Sequence, residues 1–196
     1  MNMSSSFERF RQAVEKAGIE GQFSTIESKQ LEQVTGSLFL SPELLDWYLT
    51  AAPINLYIPW HGDELLLYSP LELTTCQEGY RWETGHMGKL HPYWNANWVV
   101  IGDIGADPII AHTDKEGTSI SIAIHGIGKW EPQVVALSLP TFLDVLSAWV
   151  QIAGRYRGEI SGEDGALLPS VISELRTALS TLLTQEHADN FLSFII

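Results

Sequence analysis

The 196 residues carry 24 acidic and 11 basic side chains, a net charge of −13 with histidine neutral, and 45% of them are hydrophobic. That apolar content supports a packed core and excludes a disordered chain, and the length suits a single domain over 1–196. The charge is spread evenly, −3, −3, −4 and −3 over residues 1–50, 51–100, 101–150 and 151–196. With no basic stripe to hold phosphates, a nucleic-acid partner is not expected and a basic protein partner fits better.

Helix signals open the chain. Ser5-Ser6-Phe7-Glu8 reads as a capping box for a helix whose apolar face is Phe7, Phe10, Val14 and Ala17, closed by Gly18. Ser24-Thr25-Ile26-Glu27 repeats the signal, with Gly36 closing. Ser41-Pro42-Glu43 opens a third helix with proline at its first position, and Ser69-Pro70-Leu71-Glu72 a short fourth over residues 71–77.

From residue 97 to 139 the period becomes that of strands, over 98–101, 108–113, 118–125 and 133–138. Shorter strands around 55–57 and 64–68 lead into them. The links are too short for crossover helices, which predicts an antiparallel meander. In the third strand Ile120, Ile122 and Ile124 alternate with Ser119, Ser121 and Ala123, predicting one buried face. The other face, with His125, is left wet or meets a partner. Pro140 then opens a helix with Phe142, Leu143, Leu146, Trp149, Val150 and Ala153 on one side. Residues 159–166 read as a flexible link, Pro169 starts another helix, and Thr184 caps a final one. Helices, then a sheet, then helices make an α+β fold: a twisted antiparallel sheet with helices on one face and extra N- and C-terminal helices.

Chemical motifs are sparse. The turn Gly102-Asp103-Ile104-Gly105-Ala106-Asp107-Pro108 lacks the lysine of a phosphate-binding loop, so its glycines serve backbone shape. No Gly-x-Ser-x-Gly occurs, the single Cys76 has no basic neighbour, and His86 and His91 are five apart instead of four. No catalytic residue, metal site or cofactor is expected. The first eleven residues lack a signal-peptide apolar core, and no apolar run reaches the ~20 residues of a membrane span, so a cytoplasmic chain with no membrane partner is expected. Tyr80, Trp82, Tyr93, Trp94 and Trp98 crowd a stretch broken by glycine and proline. They either cover a core edge or act as interface anchors; Trp98, at the head of a strand, is assigned to packing. The candidate partner-binding set is Trp82, Tyr93 and Trp94 as anchors, with Asp103, Asp107, Asp114 and Glu116 steering a basic partner.

One stretch is similar to a known family. Trp98-Val99-Val100-Ile101-Gly102-Asp103, Gly105-Ala106-Asp107-Pro108, Ile110-Ala111-His112-Thr113-Asp114, Trp130 and Ala136-Leu137-Ser138 before Phe142-Leu143 resemble the SUKH superfamily. Upstream, Leu40-Ser41-Pro42-Glu43-Leu44-Leu45 and Leu71-Glu72-Leu73 resemble its short proline-containing and strand-to-helix elements. The likeness covers about residues 24–153, leaving 158–196 as a C-terminal helical extension. It departs at Gly105-Ala106, where the family often has two glycines, and in the aromatic stretch 79–95. The resemblance implies a non-catalytic protein-binding module, most concretely an immunity protein neutralising a cognate, nuclease-like toxin. A regulatory scaffold of the Smi/Knr type, or a carbohydrate-binding domain with Trp and Tyr platforms, are the alternatives.

Overall fold

The computed structural model describes residues 3–36, 38–54, 56–114 and 117–196. The chain begins with α1 (Met3–Ala17), β1 (Gln22–Ser24), α2 (Ser28–Thr35), α3 (Pro42–Ala51) and β2 (Ala52–Ile54). The strands β3 (Leu56–Pro59) and β4 (Glu64–Leu67), a 3-10 turn (Thr75–Gln77), β5 (Trp82–Glu83) and β6 (His86–Leu90) follow. Then come β7 (Trp98–Ile104), β8 (Asp107–His112), β9 (Ile120–Ile122), β10 (Gln133–Ala136), α4 (Leu139–Arg155), α5 (Pro169–Leu182) and α6 (Gln185–Ser193). The fold is α+β.

Three helix starts form where the capping chemistry places them. Ser41, Ser138 and Thr184 accept hydrogen bonds from the backbone of Leu44, Thr141 and His187, satisfying donors that the first helical turn leaves free. The first expected capping box is not one. α1 already runs at Met3, so Ser5 and Ser6 lie inside the helix and neither can cap it, and buried Ser6 donates to Asp144 of α4 at 2.9 Å. α2 begins after Glu27, which makes no side-chain cap, and the fourth expected helix shrinks to the 3-10 turn.

The main sheet has six strands in the order β10-β9-β8-β7-β4-β3, every pairing antiparallel. It is a meander interrupted between β4 and β7, where the chain makes the separate β5–β6 ribbon. Register puts Ile58 opposite Leu65, Leu56 opposite Leu67, Ile109 opposite Ile122 and Ala111 opposite Ile120, all fully buried on one face. That face lies in the core with Phe142 and Trp149 of α4; α1 runs parallel to α4, with Ser6 at Asp144 and Ala17 at Gly154. Each large apolar side chain so buried contributes about 1.5–3 kcal/mol. The C-terminal helices complete the same core: α5 packs on α4, and α6 covers the β10 edge, where Asn190 donates to Val134 O at 2.9 Å.

The other sheet face is not wet. Ser121 and Ala123 are buried, and Ile124 is the residue left out in solvent. Ser121 Oγ lies 2.8 Å from His112 Nε2, and Trp98 packs on the His112 ring. Trp94 stands edge-on to both Trp98 and Trp130, and Trp130 meets Tyr80. This row of rings roofs the second face. Gln77, fully buried, finishes the β7 edge that β4 is too short to reach. Its Oε1 accepts from Val100 N–H at 2.9 Å and its Nε2 donates to Val100 O at 2.8 Å.

Candidate recognition surface

The β7–β8 turn holds Ala106, one of two non-glycine residues at positive φ among the described residues, with Arg157 the other. Ile104 and Asp107 pair across two residues, Gly105 at φ +54° and Ala106 at φ +78°. Positive φ at both central positions is what a two-residue hairpin of this hand demands. Glycine meets it freely, whereas alanine there costs about 1 kcal/mol. Three side chains hold the strained residue: Asp103 Oδ1 accepts from Ala106 N–H at 3.2 Å, Tyr68 donates to Asp103 Oδ2 at 2.6 Å, and Tyr80 donates to Ala106 O at 3.0 Å. Asp63, from the β3–β4 turn, presses its carboxylate on Gly105, where a Cβ would come 1.9 Å from Oδ2. Asp107 Oδ1 accepts from the His125 backbone at 2.8 Å and lies 2.7 Å from His125 Nδ1.

Asp63, Asp103 and Asp107 therefore converge on one end of the sheet. Burial, with Asp103 adding to it, pushes the Tyr68 phenol far above its ordinary range and Tyr80 up to about 12. Both stay protonated donors that fix the turn. Burial, then Glu72 and Asp103, pushes the Cys76 thiol up to about 11, which favours the protonated thiol at neutral pH. Beside the turn, the 124–128 loop exposes Ile124 and Ile127, at 47% and 51%. Asp63 is exposed and Asp103 and Asp107 are half-buried, so one open and two partly open carboxylates sit beside solvent-facing aliphatic side chains, an arrangement that suits the docking of a cationic protein surface.

The structure splits the residues singled out by sequence. Asp103 and Asp107 flank the same turn, but Asp114 lies past the far end of β8, roughly 20 Å away at the usual rise per strand residue. Glu116 lies outside the described residues. Trp82 and Trp94 are corrected: both are 4% exposed and cannot anchor a partner while packed. Trp82 takes the Arg81 guanidinium over its ring at 4.7 Å, and Trp94 donates to Trp98 O at 3.1 Å between two other indoles. Of the proposed anchors only Tyr93 is open, at 66%. Ile124, expected on the buried face, is exposed, His125 belongs to the face expected to stay wet or meet a partner, and Asp63 and Ile127 lie outside the candidate set because they sit in turns that read only as links.

Among the described residues no three His, Cys, Asp or Glu side chains are grouped to hold a metal ion, and no helix is long and apolar enough to cross a membrane. Comparison with protein-family models, with curated proteins and with solved structures finds no match to this chain.

Proposed function

We propose that this chain is a non-catalytic protein-binding module that docks a basic partner on the β7–β8 end of its sheet. In its most concrete form it is an immunity-type protein, of the SUKH kind, that neutralises a cognate nuclease-like toxin. The observation that carries the reading is the turn itself: a strained alanine locked by Asp103 and Tyr80, with Asp63 and Asp107 held around it. Strain of this kind persists only where surrounding contacts over-determine it, and it gathers at functional sites. The even acidity and net charge of −13 would steer a cationic partner toward this surface and raise its association rate. A sugar platform draws less support, because Trp94 spends its faces on Trp98 and Trp130.

The test is capture of partners on the tagged chain from lysate of its source, including any polypeptide encoded beside it, eluted stepwise with salt. A single stoichiometric basic polypeptide, lost when Asp63 and Asp107 are both changed to lysine, is the expected result. Many weak partners indifferent to those changes would favour the scaffold reading, and no partner at all would overturn both.

A further inference from the structure

A second surface lies on the outer side of β3. Because α1 and α4 run parallel, both bring their C-terminal ends to one place, where Gly154 packs on Ala17. Beside these ends opens a groove of about 1110 Å³, walled by Ile19, Ile54 and Val150 and rimmed by Glu20, Glu64 and Arg157. That volume is slightly above the range common for a small-ligand site, ~300–1000 Å³.

Its floor is the outer edge of β3, and hairpin geometry says what that edge offers. Trp60 N–H donates to Asp63 O at 3.0 Å across the two-residue turn, so the alternation of an antiparallel ladder directs Ile58 and Leu56 toward β4. Tyr57 and Pro59 then send their backbone groups outward. Pro59 has no N–H, and its carbonyl already accepts from Trp149 Nε1 at 2.8 Å. Only the Tyr57 N–H and C=O remain, enough to hold one residue of an extended chain and too little for a whole added strand. This explains how an open edge escapes indiscriminate strand addition while keeping one bridging position.

The electrostatics choose the occupant. Two helix C-termini each present about half a negative charge. Glu20 and Glu64 add two carboxylates, against the Arg157 guanidinium on the rim and Lys16 in the last turn of α1, while Arg155 of α4 is paired with Glu174. We infer that this groove binds an extended peptide segment of a partner protein, one backbone residue bridging Tyr57, with a lysine or arginine side chain between Glu20 and Glu64 and aliphatic neighbours on Ile19 and Ile54. It adjoins the β7–β8 surface only at the neighbouring residues Asp63 and Glu64, and the Asp107→Lys variant below separates the two.

The probe is the blocked pentapeptide acetyl-Val-Lys-Val-Lys-Val-amide, titrated into the full chain and followed by amide chemical shifts, with the Glu-for-Lys peptide as control. Shifts are expected at residues 17–22, 57–59 and 150–158, with affinity falling about tenfold or more in Glu20→Gln/Glu64→Gln. Affinity should be unchanged in Asp107→Lys and in the charge-matched α6 variant Glu186→Gln/Asp189→Asn. All four changed positions of the two paired variants are at the surface, so loss of folding does not confound them. Shifts centred elsewhere, equal weakening by the α6 variant, equal binding of the glutamate peptide, or no binding of the lysine peptide would each overturn the inference.

Discussion

Replacing Arg9 with methionine should destabilise the protein more than deleting the buried carboxylate that it pairs with. Asp144 is 5% exposed, and its two oxygens accept from Arg9 Nε at 2.8 Å, Arg9 Nη2 at 2.9 Å and Ser6 Oγ at 2.9 Å. The Arg9 side chain is half exposed, at 50%. Methionine keeps the apolar stem but leaves Asp144 charged, buried and served by one hydroxyl. Stripping a buried ion pair of one partner costs about 3–5 kcal/mol, and water around Arg9 screens part of that, leaving about 2–3 kcal/mol. For a chain of this size that is a fall of roughly 4–12 °C in Tm. The paired change Ser6→Ala/Asp144→Val instead returns Arg9 to water and leaves no buried polar atom unmatched, for a cost within about 1 kcal/mol. Urea and thermal melts followed by circular dichroism read both. If Arg9→Met costs less than the paired change, the desolvated carboxylate does not dominate this contact and the reasoning fails.

Ala106→Gly should stabilise the fold by about 1 kcal/mol in urea melts, because glycine adopts φ +78° without the left-handed penalty; a loss of stability would mean that the turn is unstrained. Gln77→Leu, similar in size, should cost about 2–4 kcal/mol, since it orphans both buried backbone groups of Val100; a cost below about 1 kcal/mol would show water replacing the side chain. Labelling of Cys76 by a disulfide reagent at pH 8 should be at least ~100-fold slower in the folded than in the urea-unfolded chain. A thiol pushed up to about 11 is about one-thousandth ionised there, against about a quarter at the usual 8.5 or so. The same raised values for Cys76 and Tyr80 give stability that is complete below their unfolded ranges and is lost as pH climbs through about 11 and 12; a melting temperature flat into that alkaline range would contradict this.

Sheet order and most helix starts were legible because their causes are local. A serine or threonine accepts a bond three residues on, a proline suits a first helical turn, and a glycine-bearing turn reverses the chain, so 41, 140, 184 and the β7–β8 turn announce themselves. Both central positions of that turn need positive φ, which is why a glycine-bearing stretch marks it. What could not be read depends on distant partners. Ser5-Ser6-Phe7-Glu8 has the spacing of a capping box, and nothing nearby shows that the helix already runs at Met3 or that Asp144, 138 residues on, will take the Ser6 hydroxyl. Ser121 looked solvent-facing because its alternation with isoleucine is that of a half-buried strand, yet His112 gives it a buried partner. A signal for two covered faces was present in the neighbouring strands. Val99-Val100-Ile101 and Ile109-Ile110-Ala111 are unbroken apolar runs, the pattern of strands with no wet side, and they called for a roof that Trp94, Trp98 and Trp130 supply. Ring count alone could not separate that roof from a row of anchors, because the same residue types serve both.

The measurement that bears most directly on the docking surface is the association kinetics of the captured basic partner with Asp63→Asn/Asp107→Asn and with Ile127→Ala, at low and high salt. The carboxylate change should slow association and flatten its salt dependence, while the isoleucine change should chiefly speed dissociation, by about 2 kcal/mol if Ile127 is a true anchor. Rates unchanged from the parent chain in both variants, at both salt levels, would place the partner elsewhere and contradict the account.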